Sequence, residues 1–142
     1  TVWDAGIVLA ASLGGTVFAS DVFGHVQTCS CLELGSGTGL AGIAAAASCK
    51  FSKVFLSDLA SVVPLVRQNI QLNHALFPVQ NAVEAIPLRW DSAKDLQSVS
   101  EKGPFDVILG SDLLYRMPVV DPLLNALKSL TSKHTKVLLA AS

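Results

Sequence analysis

The chain has 142 residues, of which 51% are hydrophobic, and it carries a formal net charge of −1 from 10 basic and 11 acidic side chains. This length suffices for one core of ordinary domain size, and the near-neutral charge excludes a broad electrostatic attraction to nucleic acid or to an anionic membrane. The longest apolar stretches, residues 40–47 and 137–141, fall far short of the roughly 20 residues that span a bilayer, so we expect one soluble domain.

The first elements in chain order are a strand at residues 29–34 and a helix at residues 40–48, which a glycine-rich turn connects. A second strand is predicted at residues 54–57. Residues 59–73 place apolar side chains at helical spacing, which indicates an amphipathic helix. Pro64 is compatible with that helix because proline is tolerated in the first turn, where its missing N–H would have no helical partner.

A third strand is predicted at residues 82–88, and Pro87 indicates that this strand lies at a sheet edge or ends there. The continuous apolar run at residues 105–110 is typical of a buried fourth strand. A helix at residues 119–130 and a fifth strand at residues 136–140, which we also expect to be buried, complete the chain.

This alternation of strands and helices is typical of the α/β class and predicts a doubly wound, mostly parallel sheet with helices on both faces. We expect residues 1–142 to form a single domain. The chain ends directly after the fifth strand, which would leave that strand unpaired, so we expect that a C-terminal portion is missing here. Because Thr1 is not an initiator methionine, a targeting segment upstream of it is compatible with the sequence.

The three cysteines form no recognisable disulfide or zinc pattern. Cys29 and Cys31 would point to the same face of one strand, where they are poorly placed to bridge, and Cys49 is distant from both. We expect reduced, partly buried thiols, which fits a cytoplasmic protein, with the nucleus as the alternative location. The histidines of the chain are His25, His74 and His134. None has a second ligand at metal spacing, so we expect no bound metal.

The turn after the first strand reads E-L-G-S-G-T-G-L-A-G at residues 33–42 and matches two nucleotide-binding templates. Gly37, Gly39 and Gly42 spell G-x-G-x-x-G, the pyrophosphate-binding turn of dinucleotide enzymes. From Glu33 onward the same stretch spells acid-x-G-x-G-x-G, the turn of enzymes that use S-adenosylmethionine. In both classes the glycines let the backbone approach the ligand, and the helix N-terminus offers unpaired N–H groups. A purely structural tight turn is the third interpretation.

Two acidic residues near this turn help to choose between the templates. Asp58 follows the second strand about 20 residues beyond the turn, where a carboxylate accepts hydrogen bonds from a ribose diol in both classes. Glu33 discriminates between them, because a carboxylate would repel a nearby pyrophosphate but attract the ammonium and sulfonium groups of S-adenosylmethionine. The turn therefore favours the methyl donor over NAD.

Short motifs along nearly the whole chain resemble those of one family. They are V-W-D-A-G-I-V-L-A at residues 2–10, E-L-G-S-G-T-G-L-A-G-I at 33–43, S-D-L at 57–59, L-R-W at 88–90 and D-V-I-L-G-S-D-L-L-Y at 106–115. In these motifs the chain resembles the seven-β-strand protein-lysine methyltransferases of the methyltransferase-like 21 type, also called methyltransferase family 16. The glycine turn alone indicates a methyltransferase, whereas W-D-A-G together with D-L-L-Y is far more specific.

The resemblance implies a set of residues that bind S-adenosyl-L-methionine. They are Trp3, Glu33, Gly35, Gly37, Gly39, Asp58, Leu59, Trp90 and Ser111. Trp3 and the turn would lie near the methionine part of the cofactor, Asp58 would bind the ribose, and Trp90 would lie beside the adenine. Ser111 would lie beside the cofactor at the end of the fourth strand. The structural alternative makes Trp3 and Trp90 plain core aromatics.

The resemblance also implies a catalytic pair, Asp112 and Tyr115, which match the family's D-x-x-Y motif. Methyl transfer is an in-line displacement on a sulfonium carbon by a neutral amine, so the enzyme must align the lysine nitrogen. Asp112 can orient the amine and stabilise its developing charge, while the ring of Tyr115 can line the lysine channel. Because a carboxylate also raises the pKa of the lysine, Asp112 is not assigned as a general base. In the structural alternative Asp112 caps a short helix at Leu113, with Tyr115 packed below it.

The implied activity is transfer of a methyl group from S-adenosyl-L-methionine to a lysine side chain of a protein, which leaves S-adenosyl-L-homocysteine. The implied partner is a protein substrate, of chaperone or translation type, and we expect a monomer. The family carries an antiparallel hairpin of two further strands after the fifth and an N-terminal segment before the W-D motif, and this chain has neither. The alternatives are an NAD-dependent oxidoreductase of Rossmann type, a catalytically silent cofactor-binding or interaction module, and methylation of a small molecule or nucleic acid.

Overall fold

The computed structural model of the protein describes residues 2–14, 29–48, 51–80, 82–114 and 117–141. In these residues the chain forms a five-stranded sheet in which every neighbouring pair of strands is parallel. The strands are β1 (Ser30–Leu34), β2 (Lys53–Asp58), β3 (Val83–Pro87), β4 (Val107–Ser111) and β5 (Lys136–Ala140). Their order across the sheet is β3-β2-β1-β4-β5, so the direction of strand addition reverses between β1 and β4.

Helices cover both faces of this sheet. The helices of the described residues are α1 (Asp4–Gly14), α2 (Leu40–Ser48), α3 (Val63–Asn73), α4 (Ala93–Ser100) and α5 (Val120–Leu130), and short 3₁₀ segments follow α3 (His74–Leu76) and precede α5 (Met117–Val119). Within the described ranges, no helix is both long enough and apolar enough to cross a membrane.

Two cores, one on each face, hold the helices against the sheet, because successive side chains of each strand point to opposite faces. Val54 and Leu56 of β2 pack on the face that α1, α2 and α3 cover. Phe55, which lies between them, packs with Ile108 and Leu123 on the face that α4 and α5 cover. The predicted doubly wound α/β sheet with helices on both faces is therefore confirmed.

The bounds of the predicted elements agree with the structure except at one helix start. β5 and α2 match their predicted ranges, and the other four strands differ from theirs by one or two residues. Helix α3 begins at Val63 instead of residue 59, after a turn in which the N–H groups of Val62 and Val63 donate to the carbonyl of Leu59. Pro64 thereby lies in the first helical turn, where its missing N–H costs no hydrogen bond.

Of the two expectations about the outer strands, that the third strand is an edge or ends at Pro87 and that the fifth strand is buried, only the first is confirmed. β3 is an edge strand and ends at Pro87, as predicted. The expectation that the fifth strand is buried was wrong, since β5 is the other edge and its Val137 and Leu139 are 41% and 51% exposed. Helices α1 and α4 were not predicted from the sequence.

Candidate active site

The carboxyl ends of β1, β2, β3 and β4 border one cleft of about 870 Å³, which is within the size range of small-molecule sites. The cleft lies where the strand order reverses between β1 and β4, the position at which open α/β sheets bind ligands. Its lining residues are Trp3, Gly35, Gly37, Asp58, Leu59, Leu88, Arg89, Trp90, Asp91, Ser111, Asp112, Leu113, Leu114, Pro118, Val119, Pro122 and Ala141.

The turn between β1 and α2 needs glycine at three positions, for two different reasons. Gly35, Gly37 and Gly39 have φ values of 58°, 56° and 81°, a region that residues with a side chain rarely adopt. A Cβ at Gly35 would lie 2.8 Å from Leu113 Cδ2, and one at Gly39 would lie 2.8 Å from Leu56 Cδ2. A Cβ at Gly37 would meet no atom within 4 Å, so this part of the backbone faces the open space of the cleft. A ligand can therefore approach the backbone closely at Gly37.

Asp58, at the end of β2, holds the turn in place. Its Oδ2 accepts a hydrogen bond from the N–H of Gly37 at 2.7 Å, and its Oδ1 accepts one from the N–H of Leu59 at 2.7 Å. The N–H of Ser36 donates to the carbonyl of Ser57 at 2.9 Å. Because each carboxylate oxygen can accept more than one hydrogen bond, Asp58 can hold the turn and still bind a hydroxyl group in the cleft.

Glu33 lies below the turn and does not line the cleft. Its side chain is 2% exposed, and its Oε2 accepts a hydrogen bond from the N–H of Gly42 at 3.0 Å. Burial raises the pKa of Glu33 to about 8, while the Gly42 hydrogen bond lowers this pKa and the negative charge of Asp58 raises it by smaller amounts. The carboxyl group is therefore mainly neutral at pH 7, and it cannot supply the charge discrimination that the sequence argument assigned to it. A cofactor contact of Glu33 stays a prediction.

The turn after β3 forms a second wall of the cleft. Arg89 and Asp91 form an exposed ion pair with 2.9 Å between the guanidinium and carboxylate atoms, and Trp90, between them, is partly buried against the core. The N–H of Arg89 donates to Asp95 Oδ2 at 2.9 Å, and the N–H of Asp95 donates to Ser92 Oγ at 3.2 Å. The first turn of α4 thus fixes the chain segment that carries Trp90.

The loop after β4 carries Asp112 in left-handed backbone, with φ 50°. Its N–H donates to the carbonyl of Ala140 at 2.9 Å. The next side chain, Leu113, is 6% exposed and packs between two glycines, because a Cβ at Gly35 or Gly110 would lie 2.8 or 2.5 Å from its methyl carbons. The alternative in which Asp112 caps a helix at Leu113 is wrong, since Leu113 and the residue after it are not helical.

The cleft brings together most of the residues that the sequence analysis selected. Those that line it are Trp3, Gly35, Gly37, Asp58, Leu59, Trp90, Ser111 and Asp112. Gly39 belongs to the same turn as Gly37, but its missing Cβ faces Leu56 and the core. Tyr115 lies outside the described residues, as do Cys49 and His25.

Several lining residues were not selected from the sequence: Arg89, Asp91, Leu113, Pro118 and Pro122. Arg89 and Asp91 flank Trp90, and Leu113 lies inside the D-L-L-Y motif, so proximity to a motif is the signal that could have identified them. The two prolines have no comparable signal, because their position depends on how α5 packs against the sheet.

The charges of the lining residues suit a cationic ligand. The carboxylates of Asp58, Asp91 and Asp112 line the cleft, and Arg89, its basic lining residue, is paired with Asp91. This surface attracts a sulfonium or ammonium group and disfavours a pyrophosphate. The choice between the two nucleotide templates thus rests on these cleft carboxylates and not on Glu33.

The described part of the chain contains no group of three or more His, Cys, Asp or Glu side chains placed to hold a metal ion. Cys29 and Cys31 are both buried, and Cys29 is a free cysteine. Burial raises the pKa of the Cys29 thiol, with a further contribution from the negative charge of Asp106.

Comparisons with known proteins agree with this geometry. A protein-family model described as lysine methyltransferase matches residues 1–142. The protein N-lysine methyltransferase METTL21A of Mus musculus is 34% identical over 140 residues, which cover 98% of this chain and 58% of that protein. EEF1A lysine methyltransferase 3 of Mus musculus is 30% identical over 110 residues, which cover 78% of this chain and 44% of that protein. The chain thus spans 58% of the length of METTL21A.

A solved structure supports the fold independently. A protein of Methanococcus maripaludis described as an S-adenosyl-L-methionine-dependent methyltransferase superposes with a TM-score of 0.66 at 14% identity, covering 98% of this chain and 60% of that chain. The fold is therefore the Rossmann-like core of methyltransferases.

Proposed function

Because this chain belongs to the lysine methyltransferase family, we propose that it transfers a methyl group from S-adenosyl-L-methionine to the side-chain amine of a lysine in a protein. The observation that carries this proposal is the cleft at the strand-order reversal. There the open backbone of Gly37 and the carboxylates of Asp58 and Asp112 line one space.

The residues of the cleft fit S-adenosyl-L-methionine. Gly37 leaves the room that a close backbone contact with the methionine part requires, and Asp58 retains acceptor capacity for the ribose hydroxyls. The indole of Trp90 offers an apolar surface beside the turn for the adenine. Trp3, which is 63% exposed, lines the same cleft from the start of α1 and can cover the bound molecule.

For methyl transfer, the protein must align the lysine nitrogen with the methyl group and stabilise the positive charge that forms on that nitrogen. S-adenosyl-L-methionine, when bound, supplies a methyl group on a sulfonium sulfur. Asp112 accepts a hydrogen bond from the neutral lysine amine, which has already released its proton to solvent, and orients the nitrogen lone pair. The same carboxylate stabilises the positive charge that forms on the nitrogen during transfer.

Apolar side chains of the cleft can accommodate the rest of the lysine. They belong to the loop after β4 and to the start of α5: Leu113, Leu114, Pro118, Val119 and Pro122. Such a wall suits the four methylene groups of a lysine and limits the access of water to the reacting atoms.

The test uses the full-length protein, isotopically labelled S-adenosyl-L-methionine and a cell extract, with mass spectrometry of the modified residues. We expect label on lysine side chains. Asp112→Asn keeps the shape of the side chain and tolerates positive φ, and it should lower kcat about 100-fold because the carboxylate charge is lost. Asp121→Asn, an exposed change in α5 that is outside the cleft lining, is the matched control and should keep kcat within about twofold of the unchanged protein.

Three results would contradict the proposal. Label that appears only in RNA or in small molecules would move the acceptor to another class. Binding of the methyl donor without transfer would favour a silent module. Equal activity of Asp112→Asn and Asp121→Asn would remove Asp112 from the mechanism.

We also propose a translation-type protein as the substrate, with the cytoplasm as the site of action. The support for the substrate is the similarity to the relative named EEF1A lysine methyltransferase 3. The free, buried thiol of Cys29 supports a reducing compartment. Methylation of a recombinant elongation factor by the full-length protein tests the substrate. Fractionation of cells that express the full-length protein tests the location.

A further inference from the structure

We infer that Asn69 of α3 is a positioning residue for the methyl-donor turn, an inference that rests on the proposed function. Asn69 is not among the residues that line the cleft. Its Nδ2 donates a hydrogen bond to the carbonyl of Thr38, between Gly37 and Gly39, at 2.8 Å, and the contact is partly buried. The side chain thus reaches the cofactor-facing turn from behind.

The peptide between Thr38 and Gly39 is held at both ends. Its N–H donates to the carbonyl of Ser36 at 2.7 Å and closes a four-residue turn. Its carbonyl accepts from Asn69 at 2.8 Å. Rotation of this peptide changes ψ of Thr38 and φ of Gly39, and Gly39 places few steric limits on it, so these two hydrogen bonds help to determine its direction.

Loss of the Asn69 contact leaves this peptide held through its N–H alone, so the carbonyl of Thr38 rotates more easily. The shape of the turn then depends on the hydrogen bonds that remain, which Asp58 accepts from the N–H of Gly37 and which the N–H groups of Ser36 and Gly39 donate to backbone carbonyls. The backbone at Gly37 that faces the cleft becomes less well ordered, and each binding event must order it again, which weakens affinity for the donor. Asp112 belongs to a different loop, so the rate of transfer at saturating donor should change little.

Asn73, one helical turn later, is a matched control. Its Nδ2 donates to the backbone carbonyl of Asn69 at 2.8 Å, so its contact stays within α3 and does not reach the turn. Asn69 lies inside α3 and Asn73 is its last residue, but asparagine and aspartate have similar helix propensities, so a change from one to the other adds little propensity cost at either position. A difference between the two positions therefore reports the contact with Thr38.

The experiment compares Asn69→Asp with Asn73→Asp in the full-length protein, since aspartate keeps the shape of the side chain but cannot donate. Calorimetric titration with S-adenosyl-L-homocysteine should show about tenfold weaker binding for Asn69→Asp, the size expected for loss of one well-placed hydrogen bond, and little change for Asn73→Asp. kcat at saturating S-adenosyl-L-methionine should stay within about twofold in both variants. Amide hydrogen exchange at Gly39 should be faster in Asn69→Asp alone.

Equal Kd values and equal Gly39 exchange in the two variants would overturn the positioning role of Asn69. If the unchanged protein does not bind S-adenosyl-L-homocysteine, both the proposed function and this inference fail. If Asn69→Asp does not fold, the pair Asn69→Ala and Asn73→Ala gives the same comparison without the added charge. A fall in kcat with an unchanged Kd would also contradict the inference, because it would place Asn69 on the acceptor side.

Discussion

At the scale of single residues, Glu33 couples stability to pH. Its pKa is near 4.5 in the unfolded chain and about 8 in the folded protein, because folding buries the carboxyl group. Below the unfolded pKa both states are protonated, and the contribution of Glu33 to stability is complete. Between the two values the unfolded state loses its proton first, so this contribution falls as the pH rises through the folded pKa.

Glu33→Gln should remove this pH dependence, because an uncharged amide replaces the carboxyl group. Relative to the variant, the unchanged protein should lose free energy of unfolding between pH 5 and pH 8.5, by on the order of a few kcal/mol. Urea unfolding at several pH values measures both proteins, and the difference cancels other titrating groups. Glu101→Gln, at an exposed position, is the control substitution. Parallel curves for the unchanged protein and Glu33→Gln would contradict the prediction.

The position of Glu33 beside the turn was predictable from the sequence, but its burial and its neutral charge state were not. Asp58 and Asp112 are predictable as cleft residues because they follow apolar strands, and the carboxyl ends of parallel strands meet at one edge. The neutral form of Glu33 depends on its burial, which outweighs the opposite effect of the hydrogen bond from Gly42. Both depend on how α2 packs against β1, which periodicity does not reveal.

At the scale of elements, the helices that the sequence analysis missed lack a clear periodic signal. α1 is apolar nearly all round, so Ile7 and Val8 are exposed while Leu9 and Leu13 are buried, and no polar face marks it as a helix. α4 has eight residues and only two buried apolar ones. Its detectable signal is Ser92 followed three residues later by an acidic residue, which resembles a helix start.

Ser92→Ala should destabilise α4 and the turn that carries Trp90. Ser92 Oγ accepts the hydrogen bond from the N–H of Asp95 at 3.2 Å, and loss of such a cap costs about 1 kcal/mol. Urea unfolding measures the loss. Ser100→Ala at the last turn of the same helix, whose hydroxyl donates to the carbonyl of Gln97, is the control and should cost less. An equal loss in both variants would contradict a specific capping role.

At the scale of the whole molecule, the cleft should distinguish between ligands through charge. S-adenosyl-L-homocysteine at about 100 times its Kd should add about 2.7 kcal/mol to the stability of the full-length protein. NAD should add nothing measurable, because the carboxylates that line the site outnumber its basic lining side chain, Arg89, which is paired with Asp91. Thermal unfolding with each ligand tests this prediction. Asp58→Ala should abolish the stabilisation, and stabilisation by NAD alone would restore the dinucleotide interpretation.

The order of the strands, unlike their existence, did not follow from periodicity. Each strand is recognisable as an apolar run, but the exposure of β5 depends on its place at the sheet edge. The part of the site that lies at the carboxyl ends of the strands was predictable from the sequence. The α5 side of the cleft was not, because Pro118 and Pro122 reach it only through tertiary packing.

The packing of Leu113 between Gly35 and Gly110 links the two sides of the reaction mechanically. One side chain separates the donor turn from the strand that leads to Asp112, and neither glycine position has room for an added methyl group. We therefore expect substitutions at positions 110 and 113 to be coupled, because a larger residue at 110 requires a smaller one at 113. An engineer who enlarges residue 110 to reshape the acceptor side would first observe a weaker hold on the methyl donor.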